Sequence, residues 1–174
     1  MGIEIERKFL LVGNGWRDAA HEVVVMAQGY LNDLKAVDSG AMNTSVRVRI
    51  EGEHARLNIK SRELGASRQE FDYLIPMDDA RALLALCVGG VIDKRRHLVQ
   101  HAGHLWEVDE FLGDNAGLVV AEIELDSEDE PFEHPNWLGA EATHAARYYN
   151  LALASRPYSQ WDEGQRLATD LKER

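Results

Sequence analysis

The sequence lacks the features that mark secreted and membrane-spanning proteins. Its 174 residues include one cysteine, Cys87, so an intramolecular disulfide is excluded and a reducing, cytoplasmic location is expected. Cys87 ends an apolar helical run, which favours a buried core residue over a nucleophile. There is no run of about 18 apolar residues, and the chain enters a charged segment at once. Neither a transmembrane helix nor a signal peptide is therefore expected.

Positive charge is also in short supply. The formal net charge is −11, and nucleic-acid binding needs a basic face, so no nucleic-acid partner is expected. Many of the basic residues that are present fall in short clusters, with members two positions apart: Arg47 and Arg49, Lys60 and Arg62, Lys94 and Arg96. A local positive site within an acidic protein indicates a small anionic ligand.

Alternation and turn signals predict a chain dominated by β-strands. A helix over 78–87 with Asp78 or Asp79 as its cap, and a helix over 144–154 capped by Thr143, are also expected. No linker or repeat divides the chain, so we expect one domain over 1–157, followed by a weak helix or tail over 158–174. The expected strands are 3–11, 22–32, 43–52, 54–62, 68–76, 91–100, 104–111 and 117–126.

The predicted strands share one pattern, in which ionisable residues occupy one face. In the first strand Glu4, Glu6 and Lys8 fall on one face, and Ile5 and Phe9 fall on the other. Solvated sheet faces with weak cross-strand ion pairs are the alternative explanation, but the agreement of seven strands argues against it. The charged face collects eight acids (Glu4, Glu6, Glu70, Asp72, Glu107, Asp109, Glu122, Glu124) and seven bases (Lys8, Arg47, Arg49, Lys60, Arg62, Lys94, Arg96).

This pattern predicts an α+β, mainly β fold: a closed, eight-stranded antiparallel barrel with a charged interior and an apolar exterior covered by helices. Two divalent cations on some of the carboxylates would leave the interior strongly positive. Mg²⁺ is usually held by one or two carboxylates together with ligand phosphates, and Arg and Lys side chains bind phosphate oxygens. A linear triphosphate, with about four to five negative charges, fits this balance.

The motifs resemble those of the CYTH superfamily, the triphosphate tunnel metalloenzymes, over about residues 1–154. The resemblance begins with Glu4-Ile5-Glu6-Arg7-Lys8, which is similar to the ExExK signature of the family. It continues, in order, through Gln28-Gly29-Tyr30-Leu31, Arg47-Val48-Arg49, Ile59-Lys60-Ser61, Ser67-Arg68-Gln69-Glu70, Lys94-Arg95-Arg96, Glu107-Val108-Asp109, Glu122-Ile123-Glu124 and Arg147-Tyr148-Tyr149-Asn150. The resemblance implies a tunnel of eight strands, a divalent metal and chemistry on a triphosphate.

The resemblance also implies roles for individual residues. Glu107 is expected to complete the metal shell or orient water, and Glu70 and Asp72 to be partners of the bases. Family members often carry Lys before the Arg-Tyr of the late helix, whereas Ala146 stands here, so that helix is expected to contribute only Arg147. The implied metal ligands are Glu4, Glu6, Asp109, Glu122 and Glu124, and the implied phosphate contacts are Lys8, Arg47, Arg49, Lys60, Arg62, Lys94, Arg96 and Arg147.

We expect metal-assisted attack of water on a terminal phosphoryl group, with Mg²⁺ or Mn²⁺ bound by the catalytic residues Glu4 and Glu6. Lys94, surrounded by other cations, is the candidate general base. The motifs are closest to the bacterial tripolyphosphatase type, which favours hydrolysis of tripolyphosphate to pyrophosphate and phosphate, with ATP as a weaker substrate. A class IV adenylate cyclase, a thiamine triphosphatase and a non-catalytic polyphosphate-binding module stay open as alternatives, and so does a homodimer.

Overall fold

Nine antiparallel strands form one sheet in residues 2–62 and 66–171, the parts of the chain that the computed structural model describes. In the same residues, five α-helices and three short 3-10 helices flank the sheet. The strands are β1 Gly2–Leu11, β2 Glu22–Tyr30, β3 Thr44–Glu51, β4 His54–Ser61, β5 Ser67–Leu74, β6 Val88–His101, β7 His104–Phe111, β8 Val119–Glu124 and β9 Leu138–Glu141. The helices are α1 Gly15–Ala19, α2 Leu34–Ser39, α3 Met77–Leu84, α4 Asn150–Ser155 and α5 Glu163–Arg166, with 3-10 turns at Gly113–Asn115, Ala146–Tyr148 and Tyr158–Gln160.

The first strand closes the sheet into a barrel. Its first half pairs with β5, where Glu4 lies opposite Arg68, and its second half pairs with β8, where Lys8 lies opposite Glu122. Strand β9 pairs with the end of β1 outside the ring. The expected closed barrel of eight antiparallel strands is therefore confirmed, and β9 is an addition that the sequence pattern did not predict.

The outer face of the barrel is apolar and covered, as expected. One cluster packs the fully buried Phe9, Trp106 and Ile123 of the strands against Trp16 of α1 and against Trp137. A second cluster lies beneath α3 and joins Val48 and Ala55 to Ala80. Burial of these side chains stabilises the barrel from outside, by about 1.5–3 kcal/mol for each large apolar side chain.

A third apolar cluster fills one end of the barrel interior. It is formed where the inner face carries Tyr30, Ile92, Phe111 and Val120 instead of charged residues. Side chains of the 148–161 region cover it from outside, namely Tyr148, Leu153, Ala154 and Trp161. We call these eight residues the end plug. The sequence predicted a charged interior, and the apolar end plug is a part of that interior that the pattern did not predict.

The late segment of the chain differs from the predicted single helix over 144–154. A 3-10 turn precedes α4, and the N-cap of α4 is Tyr149 rather than Thr143. Thr143 is instead buried, where its hydroxyl accepts from the Lys8 backbone N–H at 3.0 Å and donates to Glu141 Oε1 at 2.8 Å. The expected Asp78 or Asp79 cap is also wrong, because α3 begins after Pro76 without a side-chain cap.

The segment after residue 157 packs on the end plug. Trp161 is buried against Tyr148 at a ring-centroid distance of 5.1 Å, and Asp162 and Gln165 form a capping box at the start of α5. None of the helices in the described residues is both long enough and apolar enough to cross a lipid bilayer.

Candidate functional site

A cavity of about 300 Å³ lies inside the barrel beside the end plug. Polar residues from β1, β3, β4, β5, β6, β7 and β8 line it, together with residues 149–151, because inward positions recur every second residue along each strand. Its charged lining is balanced, with seven carboxylates (Glu4, Glu6, Glu70, Asp72, Glu107, Glu122, Glu124) and seven cations (Lys8, Arg47, Arg49, Lys60, Arg62, Arg68, Arg96).

The wall formed by β1, β5 and β8 is rich in carboxylates that carry ion pairs. Arg68 Nε donates to Glu4 Oε2 at 3.0 Å, and its terminal nitrogen NH2 donates to Glu6. Lys60 Nζ lies 2.7 Å from Glu4 Oε2, and Lys8 Nζ lies 2.6 Å from Glu122 Oε1. The register places Glu4 directly opposite Arg68 and Lys8 directly opposite Glu122 on neighbouring strands, where opposite charges attract.

Glu124 lies at the edge of this wall and has like charges as neighbours. Burial and the nearby carboxylates of Glu4 and Glu70 raise the pKa of the Glu124 carboxyl. A cation placed among these carboxylates would relieve the repulsion, and carboxylate oxygens are the ligands that Mg²⁺ prefers. The chemistry of the donors therefore fits a divalent ion. In the described residues, no three His, Cys, Asp or Glu side chains converge on one point, because Glu4 and Glu6 are turned onto Arg68 and Lys60.

The opposite wall, on β3, carries cations that lack close acidic partners. Arg47 donates to Asn58 Oδ1 at 3.0 Å, and Arg49 Nε lies 3.8 Å from the Glu51 carboxylate. Burial and the neighbouring Arg47 lower the pKa of Arg49 to about 10. The Nε atoms of both arginines are buried without a hydrogen-bond partner. An anion in the cavity would therefore find its strongest unmet attraction at this wall.

Lys94 and Asp109 lie beneath the cavity and do not line it. Lys94 Nζ lies 2.6 Å from Asp109 Oδ2, and Arg96 binds the same carboxylate through two contacts of 2.8 Å. Arg96 also reaches Glu107 at 2.5 Å, and those two residues face the cavity. Burial lowers the pKa of Lys94 to about 8 despite the contact with Asp109. Both oxygens of Asp109 are engaged by cations, so its expected role as a metal ligand has no support in this geometry.

Two of the expected phosphate contacts have other partners. Arg62 reaches the cavity, but its guanidinium donates to the carbonyl oxygens of Val37 and, at 2.8 Å, of Asp38 at the end of α2. Arg147 lies outside the cavity, where it binds Asp170 with two contacts of 2.6 Å. The break of the helix before α4 turns Arg147 outward, so we leave it out of the proposed substrate site.

The structure adds cavity residues to those that the sequence pattern singled out. Arg68 shares the inward parity of Glu70 and Asp72, and extending that pattern by one step would have found it. Tyr149 places its ring 5.1 Å from Lys8 Nζ. The expected roles of Glu70 and Asp72 as partners of bases agree with the geometry, since Glu70 lies 3.7 Å from Lys60 and Asp72 lies 2.5 Å from Arg56.

Comparison with known proteins identifies relatives that match most of the chain. The sequence profile of the CYTH domain family matches residues 2–156. An inorganic triphosphatase of Acetivibrio thermocellus is 42% identical over 164 residues, which cover 94% of this chain and 100% of that protein. An inorganic triphosphatase of Nitrosomonas europaea is 36% identical over 87% of this chain and 96% of that protein. A crystal structure of an inorganic triphosphatase superposes with a TM-score of 0.63 at 32% identity, covering 88% of this chain and 95% of the other.

Proposed function

The chain belongs to the CYTH domain family, and we propose that it hydrolyses inorganic tripolyphosphate to pyrophosphate and phosphate with the help of a divalent metal ion. The names of the two relatives support this activity. The observation that carries the proposal is the cavity inside the barrel lined by seven carboxylates and seven cations. Metal binding to part of the carboxylates would leave a net positive cavity for a compact polyanion.

The phosphate chain is proposed to lie against the β3 wall. Arg47 and Arg49 have the least acidic neutralisation, so their guanidinium groups gain most from phosphate oxygens. Arg96 reaches the cavity from β6 and is held in place by Asp109. Lys8 from β1 and Lys60 from β4 complete the set, once the carboxylates that they contact take up a cation.

The metal is proposed to be Mg²⁺ or Mn²⁺, held by carboxylates of the β1 and β8 wall. Glu4, Glu6, Glu122 and Glu124 all line the cavity and supply hard oxygen donors. When bound there, a divalent ion would neutralise phosphate charge and lower the pKa of a coordinated water. Release of Glu4 and Glu6 from Arg68 is the rearrangement that this donor set requires.

Two lysines are candidates for accepting the proton of the attacking water. Lys94 has a pKa lowered to about 8, which is near the value that suits a general base, but it lies beneath the cavity. Lys60 lines the cavity, and burial together with the nearby Arg47 lowers its pKa as well. We propose Lys94 Nζ as the acceptor and Lys60 Nζ as the alternative that the structure adds.

The size of the cavity favours an inorganic substrate over a nucleotide. A volume of about 300 Å³ is at the lower end of the range of small-molecule sites. The end plug closes the barrel beside it with largely apolar side chains, and Tyr30, the plug residue that lines the cavity, has a single polar group, its hydroxyl, to offer the polar edge of a base. ATP and thiamine triphosphate are therefore proposed as weaker substrates.

Phosphate release from tripolyphosphate, ATP and thiamine triphosphate, with Mg²⁺, Mn²⁺ or EDTA, tests the proposal. Fast metal-dependent release from tripolyphosphate without cyclic AMP from ATP is the expected result. Cyclic AMP would assign the protein to the adenylate cyclases, and faster release from thiamine triphosphate would assign it to the thiamine triphosphatases. Tripolyphosphate binding without any turnover would leave a polyphosphate-binding module.

The remaining predictions from the sequence concern the setting of the domain. We also propose a homodimer, a cytoplasmic location and a domain boundary at residue 157. Sedimentation of the purified protein would decide the first, and removal of 158–174 followed by thermal unfolding would decide the last. Because Trp161 packs in the end plug, we expect that truncation to lower stability.

A further inference from the structure

The inner face of β2 carries a buried amide that has no partner. Gln28 is 0% exposed, and both its Oε1 and its Nε2 lack a hydrogen-bond partner. An unsatisfied buried polar group costs about 1–3 kcal/mol, so native proteins keep few of them without a reason. The balanced cavity and the proposed phosphate contacts do not account for this residue.

The other orphaned atoms of the interior lie in the same place. In the described residues, eight buried side-chain nitrogen and oxygen atoms lack a partner, and four of them belong to Gln28, Arg47 and Arg49. The register of β2 and β3 sets Gln28 directly opposite Arg49, and Tyr30 opposite Arg47. Directly opposed side chains have Cβ atoms about 4.5–5.5 Å apart, and diagonal neighbours remain within reach of a long side chain.

The chemistry of the two opposed groups is complementary. An amide Oε1 accepts hydrogen bonds, and the guanidinium of Arg49 has an unpartnered Nε–H to donate. Arg49 also lines the cavity, whereas Gln28 does not line it. A phosphate that engages the terminal nitrogens would need the guanidinium plane held from the side of Nε, where the Glu51 carboxylate lies 3.8 Å away and Gln28 stands directly opposite on β2.

We propose that Gln28 is a positioning residue for Arg49: its amide oxygen accepts from Arg49 Nε and orients the guanidinium toward the phosphate chain of the ligand. The inference rests on the proposed function in that the ligand is an inorganic triphosphate. Gln28 itself does not touch the ligand. Its amide is kept at a cost in the ligand-free protein because the hydrogen bond with Arg49 forms with the anion in place.

Gln28→Met tests the proposal because it removes both polar atoms at nearly constant volume. Binding of tripolyphosphate in EDTA, measured by titration calorimetry, is expected to weaken about tenfold, since hydrogen bonds to charged groups are the stronger ones. The thermal midpoint of the ligand-free variant is expected to stay level or rise, because an apolar isostere relieves the unsatisfied amide. The matched control Gln100→Met makes the same change at an exposed position of β6 and should alter neither quantity.

A double-mutant cycle with Arg49→Met separates positioning from direct contact. If Gln28 acts through Arg49, adding Gln28→Met to Arg49→Met weakens binding no further. Additive losses would show that Gln28 contacts the ligand itself and would overturn the proposal. A fall in the thermal midpoint together with weaker binding would also overturn it, by assigning Gln28 a structural role.

The same titration distinguishes this inference from the proposed activity. A protein that binds tripolyphosphate but does not hydrolyse it fails as a triphosphatase, and the Gln28 variants still answer the binding question. A protein that hydrolyses tripolyphosphate while Gln28→Met binds it as tightly as the parent keeps its function and loses the role of Gln28. A protein that neither binds nor hydrolyses tripolyphosphate overturns both the proposed activity and the proposed role of Gln28.

Discussion

Strands β6 and β7 carry contacts to acidic side chains on both of their faces, built from adjacent residues. On the inner face Arg96 binds Asp109 at 2.8 Å, and on the outer face His97 lies 3.1 Å from Glu110. The inner carboxylate is 1% exposed and has only cations as partners. The outer carboxylate is shared with Arg17 of α1, whose side chain is 43% exposed to solvent.

These two sets differ in position: the inner charges are buried inside the barrel, and the outer charges join α1 to its outer face. An enclosed charge without its partner is costly, because water cannot replace the lost contact. A peripheral pair loses little when broken, since solvent screens both members. Substitutions in the inner network should therefore lower both activity and stability. Substitutions in the outer network should weaken only the contact of α1 with the barrel.

The largest expected effect is on turnover, from Lys94→Met. If Lys94 is the proton acceptor, kcat should fall by about 10²–10⁴-fold with little change in tripolyphosphate affinity. The parent enzyme should gain activity as pH rises toward about 8, because the base must lose its proton, and the variant should lose this limb of the profile. Steady-state kinetics from pH 6 to 9 measure both, with those pH limits chosen to be about two units below and one above that pKa.

Arg95→Met is the matched control, because Arg95 is an exposed cation on the outer face of the same strand. It should leave kcat and affinity unchanged. A Lys94 variant with normal turnover and weaker binding would remove the base role. If Lys60→Met instead loses the rise of activity with pH, Lys60, which lines the cavity, is the proton acceptor.

The identity of the inward-facing charges was predictable from the sequence, because strand side chains alternate with a period of two. That rule alone places Arg96, Asp109 and Glu122 on one face and sends His97 to the other, as the structure has them. It did not show which inward charges line the cavity and which lie beneath it. That distinction depends on depth along the barrel, which the end plug sets through contacts between distant residues.

The late segment shows why other site residues could not be predicted. Arg147 was assigned to the substrate by motif alone, but its direction depends on whether the helix is continuous. The backbone turns at Tyr149, and Arg147 points to Asp170 instead of the cavity. Thr143 is a favourable helix N-cap by residue type, yet its hydroxyl accepts a hydrogen bond from the backbone N–H of Lys8, 135 residues away. At Arg147 and at Thr143, tertiary contacts override the local preference for helix formation and helix capping.

The next effect in size is on stability, from Asp109→Asn. The change removes the charge that compensates Lys94 and Arg96, and breaking a buried pair in this way costs about 3–5 kcal/mol. Urea denaturation followed by circular dichroism would measure the free energy of unfolding. A cost below about 1 kcal/mol would mean that the enclosed network tolerates a missing charge as the periphery does. The proposed difference in stability between the inner and outer charges would then be wrong.

The smallest effect is expected from Glu110→Gln, the same kind of change at the next residue but on the outer face. Hydrogen bonding from Arg17 lowers the pKa of Glu110 to about 2, so the carboxylate contributes stability above its unfolded pKa of about 4.3. That contribution disappears as pH falls through about 2, and the unfolding curves of parent and variant should converge there. At neutral pH the variant should lose less than about 1 kcal/mol and keep full activity, because exposed pairs are screened by solvent. A loss of activity would show instead that α1 and the outer pair hold the inner charges in register, and that the two faces of β6 and β7 act as one network.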